Sequence, residues 1–327
     1  MTLLATTGKQ TPELDVTQRL SISRRELLRL GVGAGILISA GGSAMGAANL
    51  SEPLLTKPIP RTGESLPVIG LGTWQTFDVG AAQSERAPLR EVLREFARLG
   101  GTVIDSSPMY GRSEGVAGDL AAELKLHGKL FVATKVWTSG REAGIRQMEE
   151  SFRRLRAKPI DLMQIHNLVD WRTHLTTLRG WKKERRVRYI GVTHYTASSY
   201  DQLARVLESE ELDFVQLNYS IAEREAEQRL LPLAAERGVA VLVNRPFAQA
   251  QLFSKVRGKP LPAFAEEIGC ASWAQFFLKF VVFHPAVTCA IPATSKVQHL
   301  TDNMQAGTGP LPAEKLRQRM ATYVAEL

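Results

Sequence analysis

Cysteine is scarce in this 327-residue chain: only Cys270 and Cys289 occur. Neither has metal-ligand spacing, and two cysteines allow one disulfide at most, so neither a cysteine-ligated metal nor a disulfide framework organises the fold. Both lie in apolar segments and read as buried thiols, with a single disulfide open to them if the protein is exported. No G-x-G-x-x-G opens a helix after an early strand; the glycine run Gly31–Gly35 lies too far forward, in the N-terminal leader. That absence speaks against a doubly wound dinucleotide-binding sheet. No recognised nucleic-acid motif accompanies the one dense basic run, Lys182–Arg188 (KKERRVR), which reads as solvated surface between a helix and a strand. No long loop follows the last helical pattern.

What is present is the composition of a globular protein, 44% hydrophobic and 23% charged, with a net charge of +8 and a pI near 9.6. The length suits a single α/β barrel. The positive excess is scattered and biases the chain toward anionic ligands such as a dinucleotide.

Residues 1–48 read as a leader. Met1 to Leu20 is polar and aperiodic; Arg24-Arg25 then precede Leu27-Leu28 and an uncharged, Gly- and Ala-rich stretch from Leu30 to Leu50. The arrangement resembles a twin-arginine export signal. The apolar stretch is long enough to span a bilayer, but its glycines make it weakly hydrophobic. Small residues cluster at Ala44–Ala48, where cleavage is expected. The expectation is a bacterial protein delivered to the periplasm by the twin-arginine machinery, with no stable membrane span after cleavage. The alternatives are an uncleaved inner-membrane anchor or a disordered leader. Residues 49–63 read as a Pro-containing linker, and residues 64–327 as the folded domain.

Beyond the linker, short apolar runs alternate with helical patterns. The runs are Val68–Gly72, Thr102–Asp105, Leu130–Lys135, Leu162–His166, Val187–Thr193, Phe214–Leu217, Val239–Val243 and Val287–Ile291. Each suits a parallel strand covered on both faces. Between them, Leu89, Val92, Leu93 and Phe96 recur at helical spacing before Gly100-Gly101. Further helices are expected over Glu142–Arg156, Ser199–Ser209, Glu223–Arg237 and Ala271–Phe283, with a terminal one over Pro312–Leu327. Eight strands with intervening helices predict a (β/α)8 barrel with a C-terminal helix, whose chemistry sits at the C-terminal strand ends.

At those ends stand Asp105, Lys135 and His166, with Tyr110 on the loop after the second strand. A free tyrosine hydroxyl has a pKa of ~10, and a nearby ammonium lowers it by stabilising the phenolate. An acid, a tyrosine, a lysine and a histidine converging there form a candidate proton-transfer site. Trp74 and Trp137 are placed to line an apolar substrate pocket.

Six motifs in order carry a resemblance to the aldo/keto reductase family: GLGTW (Gly70–Trp74), VIDSSPMYGRSE, ATKVW, DLMQIH, VQLNYS around Gln216, and IPATSKVQHLTDN (Ile291–Asn303). The resemblance implies reduction of an aldehyde or ketone by NADP(H), with NAD(H) as the alternative cofactor. It implies Tyr110 as general acid, Lys135 lowering its pKa, Asp105 pairing with Lys135, and His166 orienting the carbonyl. For the cofactor it implies Thr193, His194 and Gln216 around the carboxamide and Asn244-Arg245 near the ring or pyrophosphate. Thr294, Ser295 and Lys296 fall on the 2′-phosphate, and Asp302 with Asn303 on the adenine. No aromatic stands at Asn244 or Arg245, where the family commonly stacks one on the nicotinamide. His299 and Ala293 replace a frequent arginine and lysine. A second reading is a reductase-like cofactor-binding subunit with little turnover, like the potassium-channel beta subunits.

Overall fold

The computed structural model describes residues 52–327. The leader, its arginine pair and the expected cleavage region lie outside the described residues. The described part of the expected linker is not a linker. It supplies β1 (Thr56–Pro58), which pairs antiparallel with β2 (Ser65–Pro67) at the start of the expected domain, Thr56 opposite Pro67. The physical reason is burial: Ile59 and Leu66, at 0% and 2% exposure, enter the same inner cluster as Val103, Phe131, Tyr189 and Phe214. Lys57 ties the hairpin down, donating to the carbonyls of Val282, His284 and Val287 at 2.7, 2.8 and 2.7 Å. Burial, with Arg317 nearby, lowers its pKa to about 8.

Eight parallel strands follow: β3 (Leu71–Gly72), β4 (Val103–Asp105), β5 (Phe131–Val136), β6 (Ile160–His166), β7 (Val187–Thr193), β8 (Phe214–Asn218), β9 (Ala240–Asn244) and β10 (Cys289–Ala290). They are ordered as in the chain, and parallel bridges Ile69↔Ala290 and Gly72↔Ala293 join the last to the first. The sheet is therefore closed, a (β/α)8 barrel. Its helices are α1 (Gln83–Arg98), α2 (Ser113–Glu123), α3 (Arg141–Leu155), α4 (Trp171–Lys183), α5 (Tyr200–Ser209), α6 (Leu230–Glu236), α7 (Gln251–Lys255), α8 (Trp273–Val282), α9 (Val297–Gln305) and α10 (Glu314–Glu326). In α1 the residues Leu89, Val92, Leu93 and Phe96 are the buried face, as their spacing predicts. The helix expected over Glu223–Arg237 is split into a 3-10 turn, Glu225–Glu227, and α6. Pro232 sits in the first turn of α6, where its missing N–H costs nothing, whereas inside a longer helix it has no N–H to donate to the preceding turn.

Two packing regions result. Strand residues pointing outward meet the helices; those pointing inward form a separate cluster inside the barrel. The inner cluster includes the rings of Phe131, Tyr189 and Phe214 in stacked, tilted and edge-on pairs, with centroids 5.5–5.9 Å apart. Each such ring, once buried, contributes roughly 1.5–3 kcal/mol relative to exposure. Successive strand side chains alternate sides. On β5, Phe131 and Ala133 therefore point into the barrel, and Lys135 does too, one layer higher. The same count takes Val103 to Asp105, Leu162 to Gln164 and His166, and Phe214 to Gln216. The interior is apolar at the hairpin end and polar at the other. Both cysteines are buried and free, Cys289 within the inner cluster. Among the described residues no helix is long and apolar enough to cross a membrane.

Candidate active site

The polar layer sits at the C-terminal ends of the strands, where register places Asp105 beside Gly72 and Ala133, Lys135 beside Gln164, and His166 beside Thr193. Lys135 is fully buried. It donates to Asp105 Oδ2 at 2.6 Å and to the Ser106 carbonyl at 2.7 Å. Asp105 Oδ1 accepts from the amides of Gln216 at 2.9 Å and Gln164 at 3.2 Å. A buried charge needs this much satisfaction, since a carboxylate left with open lone pairs in a dry interior is costly.

Tyr110 is half-buried, its ring centroid 5.0 Å from the Lys135 ammonium and 5.8 Å, edge-on, from the His166 imidazole. The loop carrying it turns at Gly111, whose φ of +60° favours glycine, with the Asp78 carboxylate close against it. Asp78 in turn accepts the Arg112 amide at 3.0 Å.

The electrostatics correct one expectation. Lys135 does act to lower the Tyr110 pKa, but the net shift is upward, because burial of the hydroxyl is the larger effect and Asp105 adds to it. The Tyr110 hydroxyl is thus held in its neutral form at ordinary pH. Burial also opposes the charge on Lys135, but Asp105 and Tyr110 outweigh it and hold that pKa above its ordinary value. His166 is driven the other way, to about 2, by burial first and then by the positive charge of Lys135 and by His194. Its imidazole is neutral throughout the physiological range.

These residues open into a cavity of about 820 Å³ running from Trp74 past Tyr110 and Asn244 to Asn303. Trp74, Met109 and Trp137 form an exposed apolar rim around Tyr110. Trp137 is held through its backbone by Gln147, which accepts its amide at 2.5 Å and donates to its carbonyl at 3.1 Å. Thr193, Gln216, Asn244, Arg245, Thr294, Asp302 and Asn303 line the same cavity. Ser295 and Lys296 are exposed beside it at the start of α9. His194 is not in the lining. Its Nδ1 accepts the amides of Tyr195 at 3.0 Å and Thr196 at 3.3 Å, which leaves it a turn-holding residue. Asp302 accepts from Ser272 at 2.7 Å and Gln275 at 2.6 Å, so its carboxylate joins α9 to the start of α8.

The sequence reading passed over several site residues. Gln164 lies two residues before His166 on one strand, and period-two alternation alone places it inside. Tyr195 follows β7 and lines the cavity, with the Arg245 guanidinium 4.3 Å from its ring centroid. An aromatic is therefore present beside Arg245, supplied from another strand end. Asn167 lines the cavity too, and its buried Oδ1, like that of the expected Asn244, has no partner among the described residues. Ser107, beneath His166, was also passed over.

Comparison with known proteins agrees with this geometry. The aldo/keto reductase family model matches residues 68–321. Methylglyoxal reductase YeaE of Escherichia coli (strain K12) is 29% identical over 249 residues, 73% of this chain and 84% of that protein. The NADH-specific methylglyoxal reductase of the same organism is 28% identical over 239 residues, 64% of this chain and 72% of that protein. Among solved structures, an aldo/keto reductase from Klebsiella pneumoniae in complex with NADP and acetate has a TM-score of 0.66 at 26% identity, covering 80% of this chain and 93% of that one. An aldo-keto reductase from the same organism in complex with NADPH gives 0.68 at 26% identity, covering 80% and 92%. With the match running over most of the folded region, and Asp105, Tyr110, Lys135 and His166 gathered at one barrel mouth, this chain belongs to the aldo/keto reductase family of oxidoreductases.

Proposed function

We propose that the protein reduces an aldehyde or ketone to an alcohol, with Tyr110 as general acid and NADPH as the preferred cofactor. The observation that supports this most directly is the neutral Tyr110 held beside a charged Lys135 and a neutral His166 at the cavity floor. Tyr110 gives its proton to the carbonyl oxygen. Lys135 stabilises the phenolate left behind, and Asp105 keeps Lys135 charged and aimed. His166 orients the carbonyl as a neutral hydrogen-bonding group.

The residues present fit a dinucleotide. The cavity is larger than a small carbonyl needs, and its two unpartnered amide oxygens, on Asn167 and Asn244, await donors. Gln216 spends an amide N–H on Asp105, and its oxygen accepts the Asn244 amide at 3.5 Å, a long contact that keeps a lone pair for a carboxamide. Arg245 is the one fixed positive charge lining the cavity among the described residues, and it suits the pyrophosphate. Thr294, Ser295 and Lys296, with the free N–H groups of α9, suit a 2′-phosphate. A reduced nicotinamide, when bound, supplies the hydride.

The rim of Trp74, Met109 and Trp137 favours a substrate with an apolar body. Two relatives are named as methylglyoxal reductases, so a small 2-oxoaldehyde belongs in any panel. The test is NADPH-dependent turnover of methylglyoxal and an aromatic aldehyde by wild type and Tyr110→Phe. Loss of at least ~10²-fold in the variant, with cofactor affinity kept, is expected for removal of a general acid. Cofactor binding with no turnover by wild type would instead favour a cofactor-binding regulatory subunit. We further propose that the leader directs the folded, cofactor-loaded protein to the periplasm by the twin-arginine route. The arginine pair ahead of a weakly apolar stretch supports this.

A further inference from the structure

Ser107 lies just past β4 and is fully buried. Its Oγ is 3.1 Å from His166 Nδ1, and it accepts the Met109 amide at 3.4 Å. A hydroxyl has one proton to give and two lone pairs to receive with. The Met109 N–H occupies a lone pair, so the Ser107 proton needs an acceptor. Among the described residues, His166 Nδ1 is the acceptor within reach. Were Nδ1 itself protonated, the serine proton would be stranded in a buried site, an arrangement folded proteins avoid. His166 Nε2 has no protein partner among the described residues, and His166 lines the cavity.

We propose that Ser107 is a positioning residue for carbonyl reduction: by donating to Nδ1 it fixes His166 as the Nε2–H tautomer, so that a donor faces the substrate oxygen. In a neutral imidazole the hydrogen bond made by one nitrogen decides which nitrogen keeps the proton. The other tautomer would set an Nε2 lone pair against the lone pairs of the carbonyl oxygen. It would also offer an acceptor to the Tyr110 hydroxyl, diverting the proton meant for substrate. The neutrality of His166, enforced by burial and by Lys135, is what makes the choice of tautomer matter. A protonated ring would donate from both nitrogens and need no selection.

The inference rests on the reductase reading, but its main readout does not require turnover. Full-length protein is labelled with 15N-histidine, and the six imidazoles are observed by long-range 1H–15N correlation. His166 is assigned by its disappearance in His166→Gln. The expected wild-type spectrum has His166 protonated at Nε2 and bare at Nδ1. Ser107→Ala should move the Nδ1 signal and mix the tautomers. It should also lower kcat/KM by roughly 2–13-fold, the range one net hydrogen bond supplies, with cofactor affinity unchanged. Ser107→Thr, which keeps the hydroxyl, should restore both. A wild-type spectrum with the proton on Nδ1 overturns the proposal even if no variant folds. So does a Ser107→Ala protein with wild-type tautomer and wild-type kcat/KM. A wild-type protein with the Nε2–H tautomer but no carbonyl reduction would support the Ser107 assignment while overturning the reductase reading.

Discussion

Lys135 Nζ stands 2.6 Å from Asp105 Oδ2, with both side chains almost wholly withdrawn from solvent. The pair is better regarded as a unit than as two residues. Lys135→Met should leave Asp105 an uncompensated buried charge, and such a break typically costs about 3–5 kcal/mol. It should also raise the Tyr110 pKa further, since the largest influence lowering it is gone and only Arg245 still acts in that direction. The double variant Asp105→Asn, Lys135→Met should recover much of the stability and none of the activity. Urea denaturation and a pH–rate profile check both halves. A Lys135→Met profile overlaying wild type would remove Lys135 as the perturbing charge.

His166 couples stability to pH. Its unfolded imidazole titrates near 6.5, while the folded one resists protonation down to about 2. Between these values the unfolded chain binds the extra proton, so acidification favours unfolding. The contribution is nil above pH 7 and grows by up to ~1.4 kcal/mol per pH unit below about pH 6. His166→Gln should therefore show a shallower loss of urea midpoint between pH 6.5 and 4.5 than wild type. His194 and His284, also depressed by burial, stay in both proteins and cancel in the comparison. Parallel slopes would mean that His166 is not held neutral.

Cofactor choice should depend on the exposed start of α9. A charge-assisted contact to phosphate outweighs a neutral one, so Lys296→Ala is expected to weaken NADPH several-fold and spare NADH. Isothermal titration with each cofactor measures this directly. Equal wild-type affinities would show that Thr294, Ser295 and Lys296 do not select the 2′-phosphate, a real contest since an NADH-specific relative exists.

The export proposal has its own test. Replacing Arg24 and Arg25 by lysine should trap the full-length chain in the cytoplasm, and mature protein recovered from the periplasm should carry nucleotide. Bound ligand would also stabilise the fold in transit, by ~2.7 kcal/mol at a hundredfold excess over Kd. Fractionation showing export of the double variant would end the route; periplasmic protein free of nucleotide would end the preloading.

Much of the fold was legible because strand geometry is local. Short apolar runs marked the eight barrel strands, and alternation of side chains sent Asp105, Lys135 and His166 inward, since Val103, Phe131, Ala133 and Leu162 point inward two and four residues earlier. Where a local rule competed with another, the reading slipped: the helix pattern over Glu223–Arg237 ignored what Pro232 does to backbone bonding. The hairpin at 56–67 gave too weak a signal, because Ile59 and Leu66 look like stray apolar residues until a barrel end exists for them to fill.

What the sequence by itself determined is the inventory of chemistry and its placement at strand ends, because both follow from residue identity and a period of two. Only closure of the barrel decided the rest. It brought Gln164 and Gln216 from different strands onto one carboxylate oxygen, Tyr195 from beyond β7 onto Arg245 beyond β9, and Ser107 onto His166. It also reversed the expected pKa of Tyr110. Desolvation depends on everything that surrounds the hydroxyl, whereas the Lys135 charge that opposes it is one neighbour that motifs alone suggest.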